Sequence, residues 1–311
     1  LTWFLTTVQQ GLLFSATIFM VGCVAWRIVV APGAAATLAL DARSLAPLAR
    51  SVVRWSRLSA VVVALAWAMR GVLQVVAFRD PFAPLWDDVS LLLFQTFWGT
   101  VWIGQGVVVV VLLATLWFGV DDTTGQDAPA FRVSPVWWGL VLLVVSLCAT
   151  LALSGHAMGA DSWRMAALTA DGLHTLSAGI WIGTLSVILL GARSTPGSDR
   201  APAIFGAQIQ RFSPLAMVGV GTLLTMGAAL SWTHLTTVSD LWATGYGRIL
   251  SAKIGLVVLI LGLGFRNWRQ GVPVSDSAEG VESIRRRGSW EVGFAAAVIL
   301  LTAILVHSTK P

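Results

Sequence analysis

Residues 97–119 read FWGTVWIGQGVVVVVLLATLWFG. The stretch carries no charge. It is longer than the roughly 20 residues a helix needs to cross a hydrocarbon core of about 30 Å. A barrel strand would be about 10 residues long and would alternate with period 2, which this stretch does not. In lipid the backbone must satisfy its own hydrogen bonds, so a segment of this length is a helix. Outward from it, seven further apolar stretches read as spans, at 5–29, 56–78, 135–155, 167–190, 213–232, 249–268 and 289–307. Leu91-Leu92-Leu93-Phe94, after the turn at Pro81 and Pro84, reads as a short interfacial helix. The expected fold class is all-α, a polytopic membrane bundle of about eight transmembrane helices. One transmembrane domain then covers 1–311. Residues 1–134 hold the first three spans and the interfacial segment, and 135–311 hold the other five.

Composition agrees with that reading. Of 311 residues, 56% are hydrophobic and 11% charged, with 16 Trp against 1 Tyr. A soluble domain carries roughly 25% charged residues. No soluble domain and no Gly-rich phosphate loop of the Walker type is visible, which argues against direct ATP coupling within the chain. Nothing marks an enzyme. The first stretch is too long for a signal peptide and lacks its basic flank and cleavage site. The chain begins at Leu1, as expected of a trimmed or once-fused N-terminus. Cys23 and Cys148 lie in apolar runs, outside any CxxC pair, and read first as small packing residues.

The basic residues set the orientation. The odd-numbered connections carry 14 Lys and Arg, among them Arg27, Arg50, Arg54 and Arg57 and the run Arg285-Arg286-Arg287. The even connections and the C-terminus carry 6. The odd connections are therefore expected in the cytoplasm, with both termini periplasmic. The net charge of +5 is this positive-inside pattern and not a nucleic-acid footprint. Arg285-Arg286-Arg287 reads as an anchor to anionic lipid.

In that topology all four histidines, His156, His174, His234 and His307, fall on the outer side. Asp171 and His174 stand three apart on one helix, so they share a face. A carboxylate there can orient the imidazole and leave its other nitrogen for a metal. Ionisable groups inside a span are costly and face functional interiors. His156 with Met158 offers imidazole and thioether, a ligand set that suits a soft monovalent ion such as Cu(I). Met226, His234 and the loop with Tyr246 form a second outer cluster. Lys253, just inside span 7, reads as a snorkelling, gating or counter-charge residue. Cys148, about two turns below His156, is a candidate deeper ligand. Glu291 is expected at the inner N-terminus of span 8, where the helix dipole favours a carboxylate, and is a candidate at an ion exit. Gly179 and Gly183 form a GxxxG pair suited to close helix packing.

The chain resembles the copper resistance protein D (CopD/PcoD-like) family of bacterial inner-membrane proteins through roughly residues 135–311. The resemblance rests on motifs in order. They are Gly155-His156-Ala157, Asp171-Gly172-Leu173-His174 with Trp181-Ile182-Gly183, and Arg211-Phe212-Ser213. Then come Thr244-Gly245-Tyr246-Gly247-Arg248-Ile249-Leu250 with Lys253, Asn267, Arg286-Arg287, Glu291 and Pro311. The first 130 residues agree in span pattern without a sharp motif. The insertion-like Arg287-Gly288-Ser289-Trp290-Glu291 departs from the family's shorter basic run, but Glu291 is retained.

The resemblance implies movement of copper, as Cu(I) or Cu(II), across the cytoplasmic membrane, with uptake the usual direction. It also implies a periplasmic CopC-like copper-binding protein as partner. Two other readings stay open. One is a b-type haem electron carrier, for which His156 and His174 supply an axial pair. The other is a copper receptor or assembly subunit that binds outside without translocation, which the absence of inner-half histidines favours.

Overall fold

A computed structural model describes residues 2–40, 42–120, 133–154, 163–192, 200–232, 237–306 and 308. Eight helices among the described residues are long and apolar enough to cross a membrane. They are α1 Thr2–Thr37, α2 Ala42–Phe78, α4 Phe97–Gly119, α5 Pro135–Leu153, α6 Arg164–Gly191, α7 Ala201–Trp232, α9 Gly245–Val274 and α10 Ala278–Leu305. Two short helices, α3 Leu85–Gln95 and α8 Asp240–Ala243, precede α4 and α9. A short helix, α3, stands where one is expected around Leu91. By convention α1 begins at the upper end of the bundle, so α6, α9 and α4 also begin there.

Several helices run further than hydropathy indicates, with the longest extensions at the lower end. The span expected at 213–232 starts at Ala201, and the one expected at 289–307 starts at Ala278. These extensions are polar outside but not inside. Ile204, Phe205, Ile209 and Phe212 are buried, and Gln208 accepts the Trp26 indole N–H at 2.8 Å. Ser277 caps α10 by accepting from Gly280 N at 3.1 Å, with Glu279 in the first turn. Both features favour helix initiation there. Glu291 therefore lies in mid-helix, about 20 Å above the start of α10. The helix-terminus environment expected for it does not exist.

Helix α1 is central, packing against α2, α5, α6 and α10. Its contact with α6 is backbone on backbone. A Cβ on Gly22 would come within 2.1 Å of the Gly183 carbonyl carbon, and one on Gly183 within 2.1 Å of the Ile18 oxygen. The Gly179/Gly183 pair thus packs a helix closely, as its spacing indicates. The segment Gly179–Gly183 is also a π turn, one of four among the described residues. In α1 the π turn Trp26–Val30 ends two residues before Pro32, whose missing N–H and ring bulk disrupt ordinary α-helical bonding.

A tryptophan clasp joins α2 to α4. The rings of Trp67 and Trp102 stack with centroids 4.4 Å apart. Each indole N–H donates to the other residue's carbonyl, at 2.9 and 3.1 Å. Gly71 and Gly106 leave the space, since a Cβ at either would fall 2.6 or 2.4 Å from an indole carbon.

Candidate functional site

The upper half of the bundle encloses a cavity of about 520 Å³, walled by residues of α1, α2, α4, α5, α6, α7, α9 and α10. Asp171, His174 and Trp181 succeed one another down α6 at spacings of three and seven, so one helix face supplies all three. All three line the cavity, as do Tyr246 and Lys253 from α9. The long side chain of Lys253 places its ammonium within electrostatic reach of both Asp171 and His174. Tyr246 is buried, 7% exposed, beneath the upper end.

His174 is held by backbone. Its Nδ1 lies 3.0 Å from the Leu223 carbonyl of α7. A carbonyl only accepts, so Nδ1 carries the proton and Nε2 keeps its lone pair. Gly227 makes room for the ring: a Cβ there would sit 3.0 Å from His174 Cε1 and 3.3 Å from Nδ1. The expected orienting role of Asp171 is thus filled at Nδ1 by Leu223, while Asp171 supplies negative charge to the same cavity.

Polar groups that sequence reading passed over complete the wall. Gln9 and Gln10, both buried, line it from α1. Gln9 Nε2 donates to the Ala66 carbonyl at 3.0 Å, which fixes its amide. Arg70 donates to Ser154 Oγ at 2.7 Å and to the Ser154 carbonyl at 3.0 Å, closing the end of α5. The signal for Gln9, Gln10 and Arg70 was available, because each is a polar residue inside an apolar stretch. Leu223 and Gly227 carried no such signal.

The other expected ligands distribute as follows. His156, Met158, His234 and His307 lie outside the described residues. Met226 is half-buried on α7 and is not part of the cavity wall. Cys148, 2% exposed, packs in the apolar core and not on the wall. Glu291 belongs to a separate cavity lower in the bundle. Among the described residues, no three His, Cys, Asp or Glu side chains group as metal ligands.

Chemically, the cavity offers a fixed imidazole with one free nitrogen, a carboxylate and amide oxygens, with an ammonium as counter-charge. That set can hold a cation within the bundle.

Comparison with known proteins points the same way. Residues 206–305, which include most of α7 and all of α9 and α10, match the family Copper resistance protein D. Over 224 residues, 70% of its length, the chain is 27% identical to the copper transport protein CutJ of Bacillus subtilis (strain 168). The chain spans 37% of that relative's length. No solved structure matches the chain.

Proposed function

We propose that this chain, which matches the Copper resistance protein D family over residues 206–305 and has eight helices long and apolar enough to cross a membrane, carries copper across the bacterial inner membrane, entering from the periplasm at the upper end. The observation that carries this reading is His174, lining a cavity deep in the bundle with Nδ1 committed to Leu223 and Nε2 left to bind. The name of its Bacillus subtilis relative supports copper as cargo. Orientation is supported by the basic residues, which crowd the lower end.

In this reading copper arrives at the upper end, delivered by a CopC-like periplasmic protein. His156 and Met158 receive it, and His234 completes the entrance. Described residues close to both in sequence line the cavity. Ser154, tied to Arg70, stands two residues before His156, and Ser231 stands three before His234. His174 then holds the ion inside. Asp171 lowers the cost of bringing a positive charge into low dielectric, and Lys253 opposes its dwelling there.

Purified protein in lipid vesicles tests the reading. Copper added outside, with and without reductant, is expected to appear in the lumen. Binding without entry would leave a receptor in place of a transporter. A Soret band in the purified protein, shifted in His174→Ala, would favour the haem carrier. His174→Ala and Asp171→Ala are each expected to weaken copper binding at least about tenfold, with unchanged size-exclusion profiles. Wild-type uptake in both variants would remove the two residues from the path.

A further inference from the structure

Below the copper cavity lies a second one, of about 490 Å³, between α6, α7, α9 and α10. Trp181, 6% exposed, lines both and forms the wall between them. The lower cavity is apolar apart from a few groups. Among the described residues that line it, the single charged one is Glu291, 2% exposed. Asn267 Nδ2 donates to Glu291 Oε1. The other amide atom, Asn267 Oδ1, is buried and has no hydrogen-bond partner among the described residues. Glu291 Oε2 faces Gly264, 3.6 Å from where a Cβ would stand.

A buried carboxylate thus shares a cavity with an amide oxygen that lacks a donor. The residues of α6, α7 and α9 that wall this cavity bring no charge to it. On α10 the nearest charge in sequence is Arg287, one turn below. Its Nη1 is buried without an acceptor, and no ion pair joins it to Glu291 among the described residues. A carboxylate left this way in low dielectric is strongly disfavoured unless a cation neutralises it. Oxygen donors select hard cations, whereas soft copper prefers the nitrogen and sulfur donors expected above Trp181.

We propose that Glu291 and Asn267 form a site for a small hard cation, a proton or Na⁺, exchanged as copper moves through the cavity above. The coupling rests on the copper reading; the cation site does not. With a proton, the carboxylate becomes the acid, –COO⁻ + H⁺ → –COOH, and its O–H can donate to Asn267 Oδ1. With Na⁺, Oε2 and Oδ1 ligate the ion and water completes its shell. In both cases the site turns neutral and the orphaned oxygen gains a partner. When the cation leaves, Arg287 is the positive group spaced to compensate, at i−4 on the same helix. Trp181 keeps the two ions in separate compartments.

Infrared difference spectra of the full chain in lipid test the site, between low and high pH and between sodium and N-methylglucamine buffers. Wild type is expected to show a carboxyl band, absent from Glu291→Gln, that responds to one exchange. A response to pH identifies a proton and a response to sodium identifies Na⁺. Glu291→Gln conserves size and can still bond Asn267, and Asn267→Ala, which keeps the carboxylate, should weaken the response. A band unchanged in Glu291→Gln, or a response to neither exchange, overturns the site.

For the coupling, Glu291→Gln is expected to bind copper within about twofold of wild type, while its copper entry into vesicles loses dependence on the proton or sodium gradient. Gradient dependence retained in Glu291→Gln overturns the coupling. Absence of copper binding in the wild type overturns the copper reading and the coupling with it, and the infrared band still decides the cation site.

Discussion

Gly227 has no side chain at the point where the His174 ring needs room. A methyl group there would press on Cε1 and Nδ1 and tilt the imidazole off the Leu223 carbonyl. The copper affinity of Gly227→Ala is therefore expected to fall about tenfold, the usual effect of disturbing a group that orients a ligand. Alanine favours helix, so thermal stability should be unchanged or slightly raised. Isothermal titration with thermal denaturation separates the two effects, and unchanged affinity would show that the ring does not need its carbonyl partner. The sequence makes Asp171 and His174 visible, because residues three apart share a face and charge inside a span has few structural uses. It hides the true partner of Nδ1, because every residue type supplies the same carbonyl. It misplaces Glu291 for another reason. Hydropathy treats a charged residue as a span end, whereas Glu291 sits in mid-helix, where Asn267 donates a hydrogen bond to one of its oxygens.

Among the helices, α4 and α9 start alike. A short helix leads in, a threonine caps the span, and a glycine follows three residues on. Thr96 accepts from Gly99 N at 3.0 Å and Thr244 from Gly247 N at 2.9 Å. Neither glycine tolerates a Cβ, which would lie 2.3 Å from the Leu92 and Leu93 carbonyls or 1.9 Å from that of Asp240. This explains the Thr244-Gly245-Tyr246-Gly247 motif physically: it turns the chain sharply from interface to span and buries Tyr246 at the cavity mouth. Gly247→Ala is expected to force α8 away from α9 and to destabilise by about 3 kcal/mol. Gly183→Ala should cost at least as much, because its obstacle is the backbone of α1. Both are measured by denaturant or thermal unfolding in detergent, and a change under about 0.5 kcal/mol would contradict the packing described. The spans were legible from their apolar length, and the Phe97–Gly119 bounds are those expected. The lower extensions of α7 and α10 were not. Their polar faces lower the average hydropathy, while buried residues such as Ile204 and Ile284 hold them in place.

Across the whole molecule, the described cavities lie one above the other and basic residues gather at the lower end. Orientation can be tested directly, because Cys23 and Cys148 are buried and should be silent to labelling. Glu282→Cys, exposed on the lower end of α10, is expected to react with an impermeant maleimide only after permeabilisation. Trp163→Cys, 72% exposed at the upper end, should react in intact cells. The reverse pattern would turn the molecule over and place the His174 cavity mouth in the cytoplasm. The Gly22–Gly183 crossing has a mechanical consequence. A joint made of side chains can absorb displacement by changing rotamers, but one made of main chain has none to change. A displacement of α1 at the mouth, where Gln9 and Gln10 line the cavity, would therefore bear directly at Gly183 on the backbone of α6, the helix that carries His174 and Trp181.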